Sequence, residues 1–356
     1  MTAFLERVRE SVSLFTDSTW IKGLRRLLFL LAVVVLPAPA ADNHPAAMQP
    51  TGAEIDAVIA RGNEWLAQHP ASVSDGGLPD MLDEAVGYYV RRNLSRDTAE
   101  RAHFAAQLQA HMARLADLPE FEQWVYGGRK NLTDYYHLVL AAHLLETAGE
   151  PDDLRGEITT QARDVLRMVQ HCDPTKRLTI ALFLQQLGAD PGISLPGVLA
   201  KSRIERIAQG LAPQLPPQGV PEQLRTAASL ELYALVHEIV ALTDFGRLQV
   251  PPWLAQRRAA VARYLGEAVT WTAAAGNFDL TAELLMSARL LQEPLTGNYR
   301  DAVLAIIAGQ QDDGSWGSHT TRRKNKQRHA VLTATTALWV YRYAHAAMQT
   351  GDQVVY

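Results

Sequence analysis

From residue 53 to residue 348 the apolar positions recur every three or four residues, in stretches rich in Ala, Leu, Gln, Glu and Arg, and sustained two-residue alternation is almost absent. That periodicity lines one face of an α-helix and leaves no pattern for a half-buried strand. It predicts helices over 53–68, 79–93, 97–115, 119–126, 131–148, 154–171, 175–188, 199–211, 221–245, 254–275, 278–292, 298–311 and 329–348. Breakers stand between them, among them Gly76-Gly77, Gly127-Gly128, Gly149-Glu150-Pro151, Pro216-Pro217, Pro251-Pro252 and Asp313-Gly314. The expected class is all-α.

Several of these helices share an apolar tail. Leu140-Ala141-Ala142-His143-Leu144-Leu145 resembles Met286-Ser287-Ala288-Arg289-Leu290-Leu291, and both resemble Ile180-Ala181-Leu182-Phe183-Leu184 and Thr336-Ala337-Leu338-Trp339-Val340. Between them lie helices charged on one face, such as 154–171 and 298–311. A helix that is apolar all round needs neighbours on every side, whereas a half-polar one faces water, so the alternation suits two concentric layers. A plain helical solenoid or bundle has the same composition and stays open.

One apolar run falls outside this rhythm. Leu27 to Leu36 follows the basic residues Arg7, Arg9, Lys22, Arg25 and Arg26, and Pro37 and Ala38-Pro39-Ala40 end it. A basic leader, a short apolar core and an A-x-A triplet describe a secretory signal peptide. Ten apolar residues make a helix of roughly 15 Å, about half the thickness of a bilayer core, so no stable membrane anchor is expected. The expected organisation is a signal peptide at 1–40, a linker at 41–52, a single helical domain over 53–350 and a tail at 351–356, in a periplasmic or secreted protein.

Composition narrows the function classes. Thirty-four basic against 38 acidic residues give a net charge of −4, which offers no basic face to a nucleic acid. The one cysteine, Cys172, excludes an internal disulfide framework and a zinc site built on several thiolates.

Candidate chemistry rests on polar residues within apolar stripes. Asp134 and His137 share a helical face, as a carboxylate orienting an imidazole or as a helix-start Asp beside an incidental His. His237 lies in the apolar stretch Leu232 to Leu242, with Tyr233 and Asp244 on its face; it is a core histidine or an acid–base group. Asp279 and Glu283 form an i, i+4 acidic pair whose repulsion asks for a compensating cation or proton: a metal ion, a bound cationic group, His237 or His329. His329 opens the last helix after a basic loop. Burying any of these groups singly in charged form is costly, so His137, His237 and Glu283 are expected to approach one another, with Asp134, Asp244, Asp279 and His329 around them. Two imidazole nitrogens and a carboxylate oxygen meeting at about 2.0–2.2 Å from one point would hold a divalent metal at His137, His237 and Glu283. A wider spacing leaves a metal-free acid–base pair.

The segment Gln310-Gln311-Asp312-Asp313-Gly314-Ser315-Trp316-Gly317, followed by the apolar helix from His329 to Trp339, resembles one repeat of the terpenoid cyclase and protein prenyltransferase α/α toroids. His237-x5-Thr243-Asp244-Phe245-Gly246 is similar to a segment of uncharacterised exported bacterial proteins of that fold. The resemblance covers about forty residues well and the remainder in helix rhythm alone. It implies a double ring of helices, with Trp316 packed between layers and a site in the central cavity at one end of the inner helices 131–148, 175–188, 221–245, 278–292 and 329–348. The signatures of the known chemistries are missing. There is no D-x-D-D acid motif, no D-x-C zinc pattern at Cys172, no G-C-G-E-Q thioester and no second cysteine for a lanthionine-cyclase zinc; G-x-S-x-G and a phosphate-binding glycine loop are absent too. The expectation is therefore an exported enzyme that binds a small-molecule or glycan ligand in the central cavity and acts by acid–base or metal-assisted chemistry, as a hydrolase or lyase. A non-catalytic ligand- or protein-binding toroid and a terpenoid cyclase-like enzyme without the usual acid are the alternatives.

Overall fold

Apolar residues at helical spacing fold as helices along the whole described chain, and no strand occurs among the described residues. The computed structural model describes residues 49–349 apart from 72, 129, 151–152, 169–172, 218, 221, 296 and 318–323. The leader at 1–40, most of the linker, Cys172, part of the basic loop and the tail lie outside the described residues. The helices are α1 (Gly52–Gln68), α2 (Val73–Leu94), α3 (Thr98–Ala116), α4 (Pro119–Tyr126), α5 (Leu132–Ala148), α6 (Arg155–Met168), α7 (Pro174–Gln186), α8 (Leu195–Leu199), α9 (Arg203–Ala208), α10 (Glu222–Thr243), α11 (Pro252–Ala255), α12 (Arg258–Ala274), α13 (Phe278–Leu290), α14 (Asn298–Ala308) and α15 (Lys324–Gln349). A 3-10 turn, Asp244–Gly246, follows α10.

Local chemistry explains the boundaries. Thr51 and Glu54 form a reciprocal capping box that starts α1 one residue before the expected position. The single helix expected over 199–211 is two short ones, because the Ser202 side chain accepts from Glu205 N (3.1 Å) and starts α9 afresh. Likewise 254–275 divides into α11, opened by Pro252, and α12. The helix expected from 79 begins at Val73, with non-helical backbone at Gly77 just before Pro79.

Six helices pack each against the next: α2 on α5, α5 on α7, α7 on α10, α10 on α13, α13 on α15, and α15 back on α2. Six more lie against this closed series, α1 on α15, α3 on α2 and α5, α6 on α5 and α7, α9 on α10, and α12 and α14 on α13. Helices of the closed series bury nearly every residue of their apolar tails; Leu138 to Leu145 of α5 is one such continuous run. The outlying α6 buries only Ile158, Ala162 and Leu166, one stripe at i, i+4, i+8. Glu222–Gly246 is long and apolar enough to cross a membrane by length and composition, yet over half of its apolar window is buried among these helices.

The connection from α14 to α15 is clamped onto α1. Trp316 is fully buried and donates its indole N–H to Ile306 O (2.7 Å). Its ring lies against Gly62, where a Cβ would stand 3.0 Å from Cζ3. Gln310 donates to Val58 O (2.9 Å) and Gly314 O (3.0 Å). Gly314 has φ +89°, and a Cβ there would lie 2.5 Å from Arg61 O, so only glycine fits this turn.

Candidate functional site

Four helices of the closed series bring acids, an imidazole and hydroxyls to one point. Asn277 caps α13 by accepting from Leu280 N (3.3 Å), which sets Asp279 and Glu283 one turn apart on its opening face. His329 of α15 lies between two carboxylates, with Nδ1 2.7 Å from Asp83 Oδ2 of α2 and Nε2 3.2 Å from Glu283 Oε1. Nε2 is also 3.4 Å from Asp279 Oδ1. Asp279 in turn accepts from Tyr233 of α10 (2.7 Å) and Thr333 of α15 (2.8 Å). Glu283 Oε2 is buried and has no hydrogen-bond partner. The His329 side chain keeps 32% of its exposure and Asp83 31%, so solvent reaches the cluster.

Three carboxylates around one imidazole shape the local proton affinities. Burial opposes charge on His329, but Asp83 and Asp279, with the hydrogen bonds to Asp83 and Glu283, hold it well above the usual histidine range. Burial likewise works against Asp83, whose carboxyl the His329 imidazole nevertheless keeps low. Glu283, more enclosed and beside Asp279, is pushed up to about 7. Burial and the neighbouring Asp279 raise the Tyr233 hydroxyl, which therefore stays a donor. Two further rings stand behind. Tyr136 of α5 stacks on His237 of α10, centroids 5.8 Å apart and planes at 25°. Enclosure and the nearby positive groups depress His237 to about 4, so it is a neutral aromatic at physiological pH.

His137 stands near Asp83 and Asp134. Burial lowers its proton affinity, opposed by Asp83 and Asp134. It lines an open cavity of about 820 Å³ with Asp134, Lys130, Gln123, Trp124 and Tyr126. The volume suits a ligand of several rings, and Trp124 and Tyr126 provide apolar faces beside the polar groups.

The expected site residues thus divide. Asp279, Glu283 and His329 meet. His137 and His237 stand near the cluster, but no bond or ion pair among the described residues joins either to Glu283. Among the described residues the group whose ligand atoms all lie within 4.8 Å of one another is Asp279, Glu283 and His329, and it shares only Glu283 with the set expected at His137, His237 and Glu283. His237 is occupied by its stack on Tyr136. Asp134 lies in the capping box of α5, its Oδ2 accepting from Asn131 N (2.7 Å) while Asn131 Oδ1 accepts from Asp134 N (3.2 Å).

Asp244 belongs to a separate cluster. The helical face that aligned it with His237 ends at Thr243, because Asp244 takes φ +46° and Phe245 +52°. The reversed backbone turns Asp244 toward His143 Nε2 (2.7 Å), Tyr89 OH (3.1 Å) and Arg247 Nε. Asp83, Glu84, Tyr136 and Thr333 had no place among the expected site residues. An acid near a helix start, as Asp83 is, is commonplace because the helix dipole favours it there, so it carries no signal of its own. The one further signal was that α2 carries a buried apolar stripe, Leu78, Leu82, Ala85 and Tyr89.

Compared with known proteins, residues 84–348 match the profile of a domain family described as a domain of unknown function, DUF6895. No curated protein and no solved structure matches the chain.

Proposed function

Because the chain belongs to the DUF6895 family, whose function is unknown, we propose a function from the site itself: an enzyme with a divalent-metal centre at Asp279, Glu283 and His329, acting on a small or oligosaccharide-like substrate as a hydrolase or lyase. The observation that carries it is the spacing of His329 Nε2 from Glu283 Oε1 and Asp279 Oδ1, 3.2 and 3.4 Å. Ligand atoms at about 2.0–2.2 Å from one ion lie about that far from one another. Asp83 on Nδ1 is the carboxylate that orients a metal-ligating imidazole and fixes its tautomer. A dication would also offset the excess of carboxylates and engage the unpartnered Glu283 Oε2. Three protein ligands leave positions open for a substrate oxygen or a water, which the ion would polarise. The neighbouring cavity, with His137 and Asp134 beside Trp124 and Tyr126, supplies both hydrogen-bonding groups and ring faces for a sugar.

The architecture we propose with this function is an α/α toroid, supported by the closed series of six helices and by the Gln310–Trp316 turn that ties α14 and α15 to α1. The site then lies at one mouth of the central cavity. The leader supports export to the periplasm or beyond, and the acidic charge balance supports a small-molecule or glycan ligand, with neither a nucleic acid nor a membrane anchor.

The test is turnover of a panel of soluble oligosaccharides, read by mass spectrometry, with and without a chelator. Product formation that the chelator and His329→Ala both abolish is the expected result. Binding of a panel member without conversion in metal-replete protein would overturn the enzyme reading in favour of a binding protein.

A further inference from the structure

A cavity of about 770 Å³ lies on another face of α2 and α15, between them and α1 and α3. Consecutive residues divide the two sites: Asp83 and His329 meet in the cluster described above, whereas Glu84 and Arg328 pair along this second cavity. It opens where Asn63 of α1 and His103 and Gln107 of α3 are exposed.

The wall is cationic and incompletely bonded. Arg91, Arg114 and Arg328 line it against a single carboxylate, Glu84, which Arg328 Nη2 and Tyr88 OH (3.0 Å) already engage. His111 adds no negative charge: its Nε2 donates to Met81 O (2.8 Å), and its Nδ1 accepts from Arg114 (2.9 Å). Three polar groups on this wall are buried without a hydrogen-bond partner: Arg91 Nε, Arg328 Nη1 and Thr336 Oγ1. Arg328 is 6% exposed and Thr336 3%. Arg91 makes one side-chain bond, to Thr335 Oγ1 at 3.3 Å, and burial lowers its pKa to about 10. A guanidinium enclosed with one weak bond and no counter-ion is costly unless something supplies the missing charge. The rest of the lining is apolar. Phe104 packs edge-on against Trp339 with centroids 5.4 Å apart, Arg91 lies 5.9 Å above the Phe104 ring, and Leu332 and Leu66 continue the surface. Gly87 leaves the floor open, since a Cβ there would stand 3.4 Å from the Thr336 hydroxyl.

We propose that this cavity binds an amphipathic organic anion, its carboxylate or phosphate held by the free N–H of Arg91 and its apolar body lying along Phe104, Leu332 and Trp339. The guanidinium fork matches either acid group, and Thr336 and Arg328 offer further donors along the same wall. The volume falls within the range of small-molecule pockets. The site shares none of its proposed ligand contacts with the Asp279–Glu283–His329 centre, so it stands or falls separately.

Isothermal titration of the full chain with octanoate, octyl phosphate and octanol tests it. Both anions are expected to bind at least tenfold tighter than octanol, the tighter of the two identifying the acid group. Arg91→Met should remove that preference while the thermal midpoint of the ligand-free protein holds or rises. Gly87→Leu, which fills the floor, should abolish binding of all three. Equal affinity for octanol and octanoate, no binding of either anion, or octanoate binding that survives Gly87→Leu would overturn the proposal. The last of these decides the matter even if Arg91→Met does not fold.

Discussion

Asp244 and Glu283 are both enclosed carboxylates held against a histidine, near a tyrosine, between helices of the same closed series. They differ in what is left over. Asp244 is fully buried and both of its oxygens are used, Oδ1 by His143 and Oδ2 by Tyr89 and Arg247, while Asn93 Nδ2 donates to the adjoining Phe245 O (3.3 Å). Glu283 has one oxygen with no partner, a second carboxylate beside it in Asp279, and a histidine that solvent reaches. The first arrangement is closed and serves the fold: it locks the left-handed turn after α10 against α2 and α5. The second has unspent binding capacity and an entrance. Residue types alone do not separate a clasp from a site; satisfaction and access do.

Asp244→Ala leaves His143, Tyr89 and Arg247 without their acceptor in the interior, and a loss of about 3–5 kcal/mol in urea unfolding is expected. Metal affinity of the protein that remains folded should be unchanged. A loss under 1 kcal/mol would mean that the cluster is not a clasp.

The rings behind the site sharpen its edge. His237 has a folded-state pKa of about 4 against an ordinary 6.5. The unfolded chain therefore takes up the proton first, and the neutral imidazole's contribution is complete above pH 6.5 and lost as pH falls toward 4. That loss is at most about 3.5 kcal/mol at about 1.4 kcal/mol per pH unit. His237→Phe should flatten stability over that window and leave metal binding intact, as read by thermal melts at a series of pH values. Loss of metal in this variant would place His237 among the ligands after all.

Glu283→Gln makes the opposite kind of change. It removes an incompletely bonded buried carboxylate next to Asp279, so the metal-free protein should gain about 1–3 kcal/mol. A destabilised Glu283→Gln would show that Glu283, like Asp244, serves the fold. The smallest effect is expected at Asp134, where Asp134→Ala removes half of the α5 capping box at a cost of about 1 kcal/mol with no change in metal binding.

Much of this contrast was legible in the sequence, and the rest was hidden for identifiable reasons. The helical period pointed to the all-α class, and the Asp279–Glu283 repulsion directed attention to a pair of acids beside which the structure sets the His329 imidazole. Asp83 was hidden because an acid near a helix start is commonplace, and because the kinked opening of α2 around Gly77 and Pro79 disguises a helix of the closed series. His143 sits within the continuously buried run of α5, and its partner Asp244 is 101 residues further along the chain, in the turn after α10; no local pattern joins them. Asp244 aligned with His237 only for as long as the backbone stayed helical, and two residues of positive φ ended that alignment.

The Asp279–Glu283–His329 group is predicted to take a metal and the Asp244–His143 group is not. Titration of chelator-stripped protein with zinc or manganese, followed calorimetrically, tests it directly. One ion per chain is predicted for the wild type and for any folded Asp244→Asn variant, with at least a hundredfold weaker binding in His329→Ala and in Glu283→Gln. No stoichiometric binding in the wild type, or wild-type affinity in both of the last two variants, would contradict it.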